Sequence, residues 1–201
     1  MTLFGYKPST LALWAVLALP ALGMIGPLFG DDPKAFHRLL HPTGEFAARF
    51  MIIGMMASGL MLVFRTHQWP RWLMRHRRDL GVAAFLYAAL HVVVYVIDRG
   101  TLDRILEQLP QTRIWTGWLA FLIFVPLAVT SNNAAQRWLG TGWKTMQRMA
   151  WPAAVLVLLH WAAMKDWGGW PPALIHFGPL LALWAYRFWY WNLRSRLPVA
   201  A

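Results

Sequence analysis

Long apolar stretches separated by short polar segments dominate the chain. Six of these stretches are long enough to cross a bilayer core, which takes a helix of about 20 apolar residues. No stretch alternates apolar and polar residues with a period of two, as a membrane β-strand does. The pattern predicts an all-α integral membrane bundle of about six transmembrane helices, forming one domain over residues 1–201. The predicted spans are roughly 10–29, 43–64, 80–97, 114–131, 149–165 and 171–190.

Composition supports the membrane class. Hydrophobic residues make up 58% of the chain, and only 13% of residues are charged, about half the usual share in soluble proteins. The net charge of +11 is compatible with nucleic-acid binding, but the basic residues interrupt apolar stretches instead of sharing one surface. We therefore expect contact with membrane lipid and no nucleic-acid partner. The absence of cysteine excludes disulfides, iron–sulfur clusters and thiolate metal sites.

Lysine and arginine are distributed unequally between the two sides of the predicted bundle. One side collects twelve of the nineteen and the other side six, while Arg49 lies within the second span. The positive-inside rule places the richer side in the cytoplasm of a bacterial inner membrane. Both termini and an Arg-rich loop over residues 65–78 are then cytoplasmic. The twelve residues are Lys7, Arg65, Arg71, Arg75, Arg77, Arg78, Arg137, Lys144, Arg148, Arg187, Arg194 and Arg196.

Two histidines fall at the same predicted depth. His91 lies twelve residues beyond Asp79, and His160 lies twelve residues beyond Arg148. At a rise of about 1.5 Å per residue, both lie about 18 Å from the cytoplasmic boundary. Two imidazoles on helices that run in the same direction can ligate the opposite faces of one haem iron, an arrangement suited to electron transfer. Histidines that only hydrogen-bond neighbouring helices are the alternative interpretation.

A histidine proton relay in a transporter is another class of function. Such proteins usually carry acidic residues and broken helices at the membrane midplane. The predicted spans contain almost no acidic residue beyond Glu45, which lies near a boundary. This alternative is therefore less favoured than a haem site.

Other polar residues lie near the outer boundary of the predicted spans. Arg49 is about two turns into the second span, where a haem propionate would neutralise it or the side chain would extend to the outer interface. His41 and His176 are interpreted as interfacial polar residues, with roles as alternative ligands or partner contacts left open. The remaining histidines are interpreted as solvated loop residues: His37, His67 and His76.

Several motifs, in order along the chain, resemble one known family. The third span carries Arg77-Arg78-Asp79-Leu80-Gly81, Tyr87, Leu90-His91 and Tyr95. The later spans carry Leu127-Ala128-Val129-Thr130-Ser131, Gln136, Leu139-Gly140, Trp143 and His160. His41-Pro42-Thr43-Gly44 opens the second span, with Arg49 at a position that is typically basic. Together these motifs resemble the MsrQ (YedZ) family, which belongs with the ferric-reductase-like transmembrane domains.

The resemblance implies an electron conduit. Members of that family carry haem b and are described as binding FMN. They take electrons on the cytoplasmic side, from the quinone pool or a flavin reductase. The recipient is the periplasmic molybdopterin enzyme MsrP, which reduces methionine sulfoxide in oxidised proteins. The resemblance carries the axial-ligand roles to His91 and His160, and electrostatics favours Arg77 and Arg78 as neighbours of a flavin phosphate.

One position departs from the family pattern. The family commonly has a further histidine thirteen residues before the position of His160, and Gln147 stands there in this chain. Because an amide is a poor haem ligand, the resemblance does not carry over a second, inner haem. A ferric or quinone reductase that acts alone is the alternative within redox chemistry. The short loops leave no room for a nucleotide-binding domain, which counts against an autonomous NAD(P)H enzyme.

Overall fold

A computed structural model describes residues 8–193, and this part of the chain contains helices and no strand. The helices are α1 (Pro8–Ile25), α2 (Ala35–Val63), α3 (Gln68–Arg99), α4 (Leu102–Gln108), α5 (Thr112–Val129), α6 (Asn133–Leu139), α7 (Thr141–Gln147), α8 (Ala150–Ala162) and α9 (Trp170–Asn192). A short 3-10 helix, Gly26–Phe29, follows α1. The predicted all-α fold is confirmed.

Each of the six predicted spans overlaps one of the longer helices α1, α2, α3, α5, α8 and α9. Three of them, α2, α3 and α5, are long and apolar enough to cross a membrane. An all-α membrane bundle is therefore confirmed. Helix α8 has 13 residues and rises only about 20 Å, and α1 and α9 are not among the three helices that meet both criteria. The membrane crossings of α1, α8 and α9 therefore stay predictions.

The longer helices alternate in direction along the chain. Helices α1, α3 and α8 run one way, and α2, α5 and α9 run the other way. Two contacts for each pair of helices give these directions. They are Arg49–His176 and Ser58–Arg187 for α2 and α9, Trp161–His176 and Trp151–Trp184 for α8 and α9, Tyr95–Trp118 and Phe85–Phe121 for α3 and α5, Arg113–His160 and Leu127–Gln147 for α5 and the chain leading into α8, and Trp14–Asp79 and Ala21–Tyr87 for α1 and α3. Successive membrane crossings require this alternation.

The alternation gives the bundle two distinct ends. We call one the basic end, because it holds Arg75, Arg78, Arg148 and Arg187. The other is the Glu45 end, where α2 begins and α3 finishes. The predicted cytoplasmic position of the termini involves Lys7, Arg194 and Arg196, which lie outside the described residues.

The Arg-rich segment predicted as a loop is mostly helical. Helix α3 begins at Gln68 and has 32 residues, which gives it a length of about 48 Å against a hydrocarbon core of about 30 Å. His76 is consequently not a solvated loop residue: it is 9% exposed, and its Nδ1 lies 2.9 Å from Asp79 Oδ2. Residues three apart on a helix face each other, which explains the pair. The exposed positions predicted for His37 and His67 are confirmed.

Tyr87 joins α1 to the rest of the bundle. Its hydroxyl donates to the carbonyl oxygen of Leu17 at 2.9 Å and accepts from the backbone N–H of Ala21 at 2.8 Å. In a regular helix that N–H would bond that carbonyl directly. The tyrosine hydroxyl therefore bridges one turn of α1, next to Pro20.

Candidate functional site

The structure brings His91 of α3 and His160 of α8 together. Their ring centroids are 6.2 Å apart, and the ring planes are nearly perpendicular at 82°. Two metal–imidazole bonds of about 2 Å each, with about 1 Å from each coordinating nitrogen to its ring centre, add up to roughly this separation. The spacing of the two rings therefore fits one metal ion between them.

Each imidazole contacts a backbone carbonyl of a neighbouring helix. His91 Nδ1 lies 2.9 Å from the carbonyl oxygen of Leu40 in α2, and His160 Nδ1 contacts the carbonyl oxygen of Arg113 in α5. A carbonyl can only accept, so each Nδ1 carries the proton and each Nε2 has a free lone pair. This is the tautomer that ligates a metal through Nε2, with the carbonyl as the orienting partner.

Two glycines let the rings come this close to α2 and α5. A Cβ on Gly44 would lie 3.1 Å from His91 Nδ1, and a Cβ on Gly117 would lie 2.7 Å from His160 Nδ1. Real Cβ atoms essentially never approach another atom to the second distance. Each imidazole therefore packs against a glycine, in a space that the side chain of any larger residue would occupy. Two imidazoles oriented in this way are a donor set that fits a haem iron.

A second cluster of polar groups lies at the Glu45 end. Arg49 donates to Glu45 Oε1 at 2.6 Å, and its guanidinium contacts His176 Nε2 at 3.3 Å. His41 Nε2 lies 3.6 Å from Glu45 Oε2, and the His41 side chain is 75% exposed. The ring of His176 packs on that of Trp161 with centroids 4.7 Å apart. Arg49, His41 and His176 therefore meet at one carboxylate.

Glu45 is the residue of this cluster that the sequence analysis did not single out as a partner. It precedes Arg49 by four residues on α2, and residues at that spacing are neighbours on a helix surface. A glutamate four residues before an arginine is a readable signal for an ion pair. Arg49 is therefore neutralised at least in part by its own helix, whatever else it binds.

A cavity of about 720 Å³ opens at the basic end, between α2, α3, α5, α7 and α8. Arg77 and Arg78, whose role as neighbours of a flavin phosphate stays a prediction, both line this cavity. Arg78 donates to two neutral groups, Asn133 Oδ1 at 2.7 Å and Gln136 Oε1 at 3.0 Å. No carboxylate is among the described residues lining the cavity, and six are cationic: Arg75, Arg77, Arg78, Lys144, Arg148 and Arg187.

Comparison with known proteins identifies the family. The ferric reductase like transmembrane component family matches residues 43–159. A Brucella anthropi protein named protein-methionine-sulfoxide reductase heme-binding subunit MsrQ is 32% identical, with 94% of this chain and 85% of the relative covered. Proteins of the same name from Brucella ovis and Brucella suis are each 31% identical, with 96% of this chain and 82% of each relative covered. The chain belongs to the MsrQ family.

The family match in this MsrQ chain begins at the buried Thr43 and includes Gly44, His91 and Gly117. It ends one residue before His160. It therefore spans α3 and α5 in full and most of α2 and α8, the four helices that build the histidine pair. No solved structure matches the chain.

Gln147, the departure from the MsrQ pattern, lies on the wall of the basic-end cavity. Its amide donates to the carbonyl oxygen of Leu127 at 3.2 Å and to Thr130 Oγ1 at 3.3 Å. On α3, Arg77 and Arg78 stand fourteen and thirteen residues before His91. The described residues lining this cavity include no histidine, so the cavity has space for a second haem but no imidazole on its wall to ligate the iron.

Proposed function

We propose that this MsrQ chain is a haem b-binding transmembrane subunit that transfers electrons, with His91 and His160 as the two axial ligands. The observation that carries the proposal is the 6.2 Å separation of two imidazoles whose Nδ1 atoms are both held by backbone carbonyls. A haem with two imidazole ligands has no open coordination position, which suits one-electron transfer over oxygen chemistry.

Residues at the Glu45 end have supporting roles in the proposal. Arg49 is proposed to face a haem propionate, with Glu45 orienting its guanidinium. His41 and His176 are poorer ligand candidates than His91 and His160. The ring of His41 is mostly in solvent, and His176 Nδ1 is 2.8 Å from the carbonyl oxygen of Pro172 while its Nε2 faces Arg49.

The basic-end cavity is proposed as the place where FMN binds. A flavin phosphate would be attracted by a wall of six cations without a carboxylate, and arginine is well suited to bidentate phosphate contacts. The isoalloxazine ring would find apolar neighbours in Phe85, Phe124 and Trp143. Phe85 is six residues before His91 on α3, or about 9 Å along the helix axis.

The direction of electron flow completes the proposal. The basic end faces the cytoplasm of a bacterial inner membrane, as the excess of Lys and Arg indicates, and receives electrons from the quinone pool or a cytosolic flavin reductase. The Glu45 end faces the periplasm and delivers them to a molybdopterin methionine sulfoxide reductase, MsrP. The relatives are named as heme-binding subunits of a protein-methionine-sulfoxide reductase, and the short connections between helices leave the chemistry of methionine repair to a partner.

The first experiment is a dithionite-reduced minus oxidised visible spectrum of the detergent-purified protein, with pyridine-haemochrome quantification. We expect a low-spin b-type spectrum and one haem per chain, because the basic-end cavity has no histidine on its wall. A protein expressed with ample haem that is still colourless would refute the proposal and favour the transporter alternative. Two haems per chain would refute the single-site assignment.

The FMN proposal is tested by replacing both Arg77 and Arg78 with glutamine. Each charge-assisted hydrogen bond contributes on the order of 1.5–3 kcal/mol, so we expect flavin affinity to fall at least about tenfold. Flavin released by denaturation and measured by fluorescence reports the occupancy. Arg71→Gln, an exposed site on the first turn of the same helix, is the matched control. Equal flavin content in the double variant and the control would contradict the cavity assignment.

A further inference from the structure

The two histidines are held by matching segments of α2 and α5. Thr43-Gly44 lies against His91, and Thr116-Gly117 lies against His160. Both threonines are fully buried, and each hydroxyl donates to the carbonyl four residues earlier, at 2.6 Å for Thr43 and 2.5 Å for Thr116. The sequence shows no extended internal repeat, so this match is local to the two sites.

The carbonyls that accept from the imidazoles are also equivalent. Leu40 stands four residues before Gly44, and Arg113 stands four residues before Gly117. In an α-helix the carbonyl of residue i already accepts from the N–H of residue i+4. Each imidazole therefore donates to the same carbonyl oxygen that accepts the backbone N–H of the glycine within the helix. Only a residue without a side chain leaves that carbonyl open to a ring from another helix.

We propose that Gly44 and Gly117 are paired positioning residues that set the orientation of the two axial imidazoles, and that Thr43 makes the two sides of the haem iron unequal. This inference rests on the proposed haem ligation. The glycines act through the imidazoles and touch no reacting group themselves. Their function is to admit each Nδ1–H to its carbonyl and so aim Nε2 at the metal.

The inequality between the two sides follows from the hydrogen-bond contacts of the two rings. His91 Nδ1 has two acceptors, the carbonyl oxygen of Leu40 at 2.9 Å and Thr43 Oγ1 at 3.1 Å. Thr43 can accept there because its own proton goes to Leu39. For His160 the described contact is with the Arg113 carbonyl alone. Stronger hydrogen bonding at Nδ1 makes an imidazole a more basic ligand, so the second acceptor, Thr43, strengthens His91 as a donor to iron.

The two glycines differ in the space that they leave. A Cβ at position 117 meets the His160 ring at 2.7 Å and 3.0 Å, whereas a Cβ at position 44 meets the His91 ring at 3.1 Å. The first contact forces the ring to move, and the second requires a shift of only a few tenths of an ångström. Gly117→Ala should therefore disturb its ligand more than Gly44→Ala.

The test measures haem affinity, electron paramagnetic resonance and midpoint potential in a set of alanine variants. We expect Gly117→Ala to lower haem affinity on the order of 10–100-fold, the usual effect of losing a partner of a metal ligand. Gly44→Ala should keep more haem but shift the low-spin g values. The controls are Gly178→Ala, where a Cβ meets nothing within 4 Å, and Gly54→Ala on α2, where the closest contact is an ordinary 3.4 Å.

A pair of threonine variants tests the inequality without a change of bulk. Thr43→Val removes an acceptor from His91 and should raise the midpoint potential, because a less basic ligand stabilises ferric iron less. Thr116→Val loses the equivalent bond to its own helix but no contact with His160, so its potential should stay near that of the wild type. Equal shifts in the two variants would overturn the assigned role of Thr43.

The outcomes separate this inference from the proposed function. A wild-type protein without haem would refute the haem proposal itself. A pigmented wild type whose Gly117→Ala variant matches Gly178→Ala in haem affinity and g values would refute only the positioning role. If Gly117→Ala fails to fold, as judged by circular dichroism and size-exclusion chromatography, Gly44→Ala and the threonine pair still decide the question.

Discussion

Replacing either His91 or His160 by alanine is expected to remove most of the bound haem. The site offers two imidazoles and, among the described residues, no group of three or more His, Cys, Asp or Glu side chains that could hold a metal ion. Either substitution removes one of the two axial ligands and leaves a cavity in place of the imidazole ring. Pyridine-haemochrome quantification on protein normalised by mass checks the result.

Two exposed histidines provide the controls for this experiment. His67→Ala alters a side chain in the connection before α3, and His41→Ala alters a ring that is 75% exposed at the Glu45 end. Both variants should keep their haem. If His91→Ala and His160→Ala each retained a full complement of haem, the ligand assignment would be wrong.

Phe177→Ala is expected to be the most destabilising of the packing substitutions. Phe177 in α9 is 2% exposed and belongs to a core cluster with Ile52, Phe124 and Leu180. Truncating a buried phenylalanine typically costs about 3–5 kcal/mol, because dispersion contacts are lost and the cavity collapses only partly. Thermal unfolding in detergent, followed by circular dichroism, should show the loss as a lower midpoint temperature.

Phe188→Ala is the matched control on the same helix. Phe188 is 63% exposed, and surface substitutions usually change stability by less than about 0.5 kcal/mol. The two variants remove the same atoms from α9, so they differ only in what surrounded the ring. A similar loss of stability in both would mean that α9 is not packed as described.

The positions of the helices could be predicted because apolar stretches carry most of the signal. Each of the six predicted spans overlaps a helix, the structure in which an apolar segment satisfies its own backbone hydrogen bonds. The ends of the helices could not be predicted in the same way. Helix α3 begins at Gln68, well before the apolar run, because arginine is a good helix former and a search for apolar residues does not register it. The buried position of His76 was missed for the same reason.

The histidine pair was predictable because helical rise converts sequence spacing into depth. His91 and His160 lie at one level of the bundle by that reckoning, and the structure brings their rings together. The carbonyls of Leu40 and Arg113 were not predictable, because they depend on how each helix is rotated about its axis. The Thr-Gly dipeptide does not by itself predict a histidine packed against the glycine. A third example, Thr141-Gly142, has nothing within 4 Å of the position of a Cβ on the glycine.

Helix α3 runs without an internal proline or a break from the basic-end cavity to the histidine pair. Arg78 and His91 are thirteen residues apart on it, so about 20 Å of continuous helix separates them. No loop lies between the two positions, so movement of the loops at either end of α3 does not change this separation. If electrons pass from a flavin in this cavity to the histidine pair, the helix keeps the two ends of their path at one separation. The rate of the internal step should then be indifferent to solvent viscosity, unlike that of enzymes whose turnover waits for a lid to open.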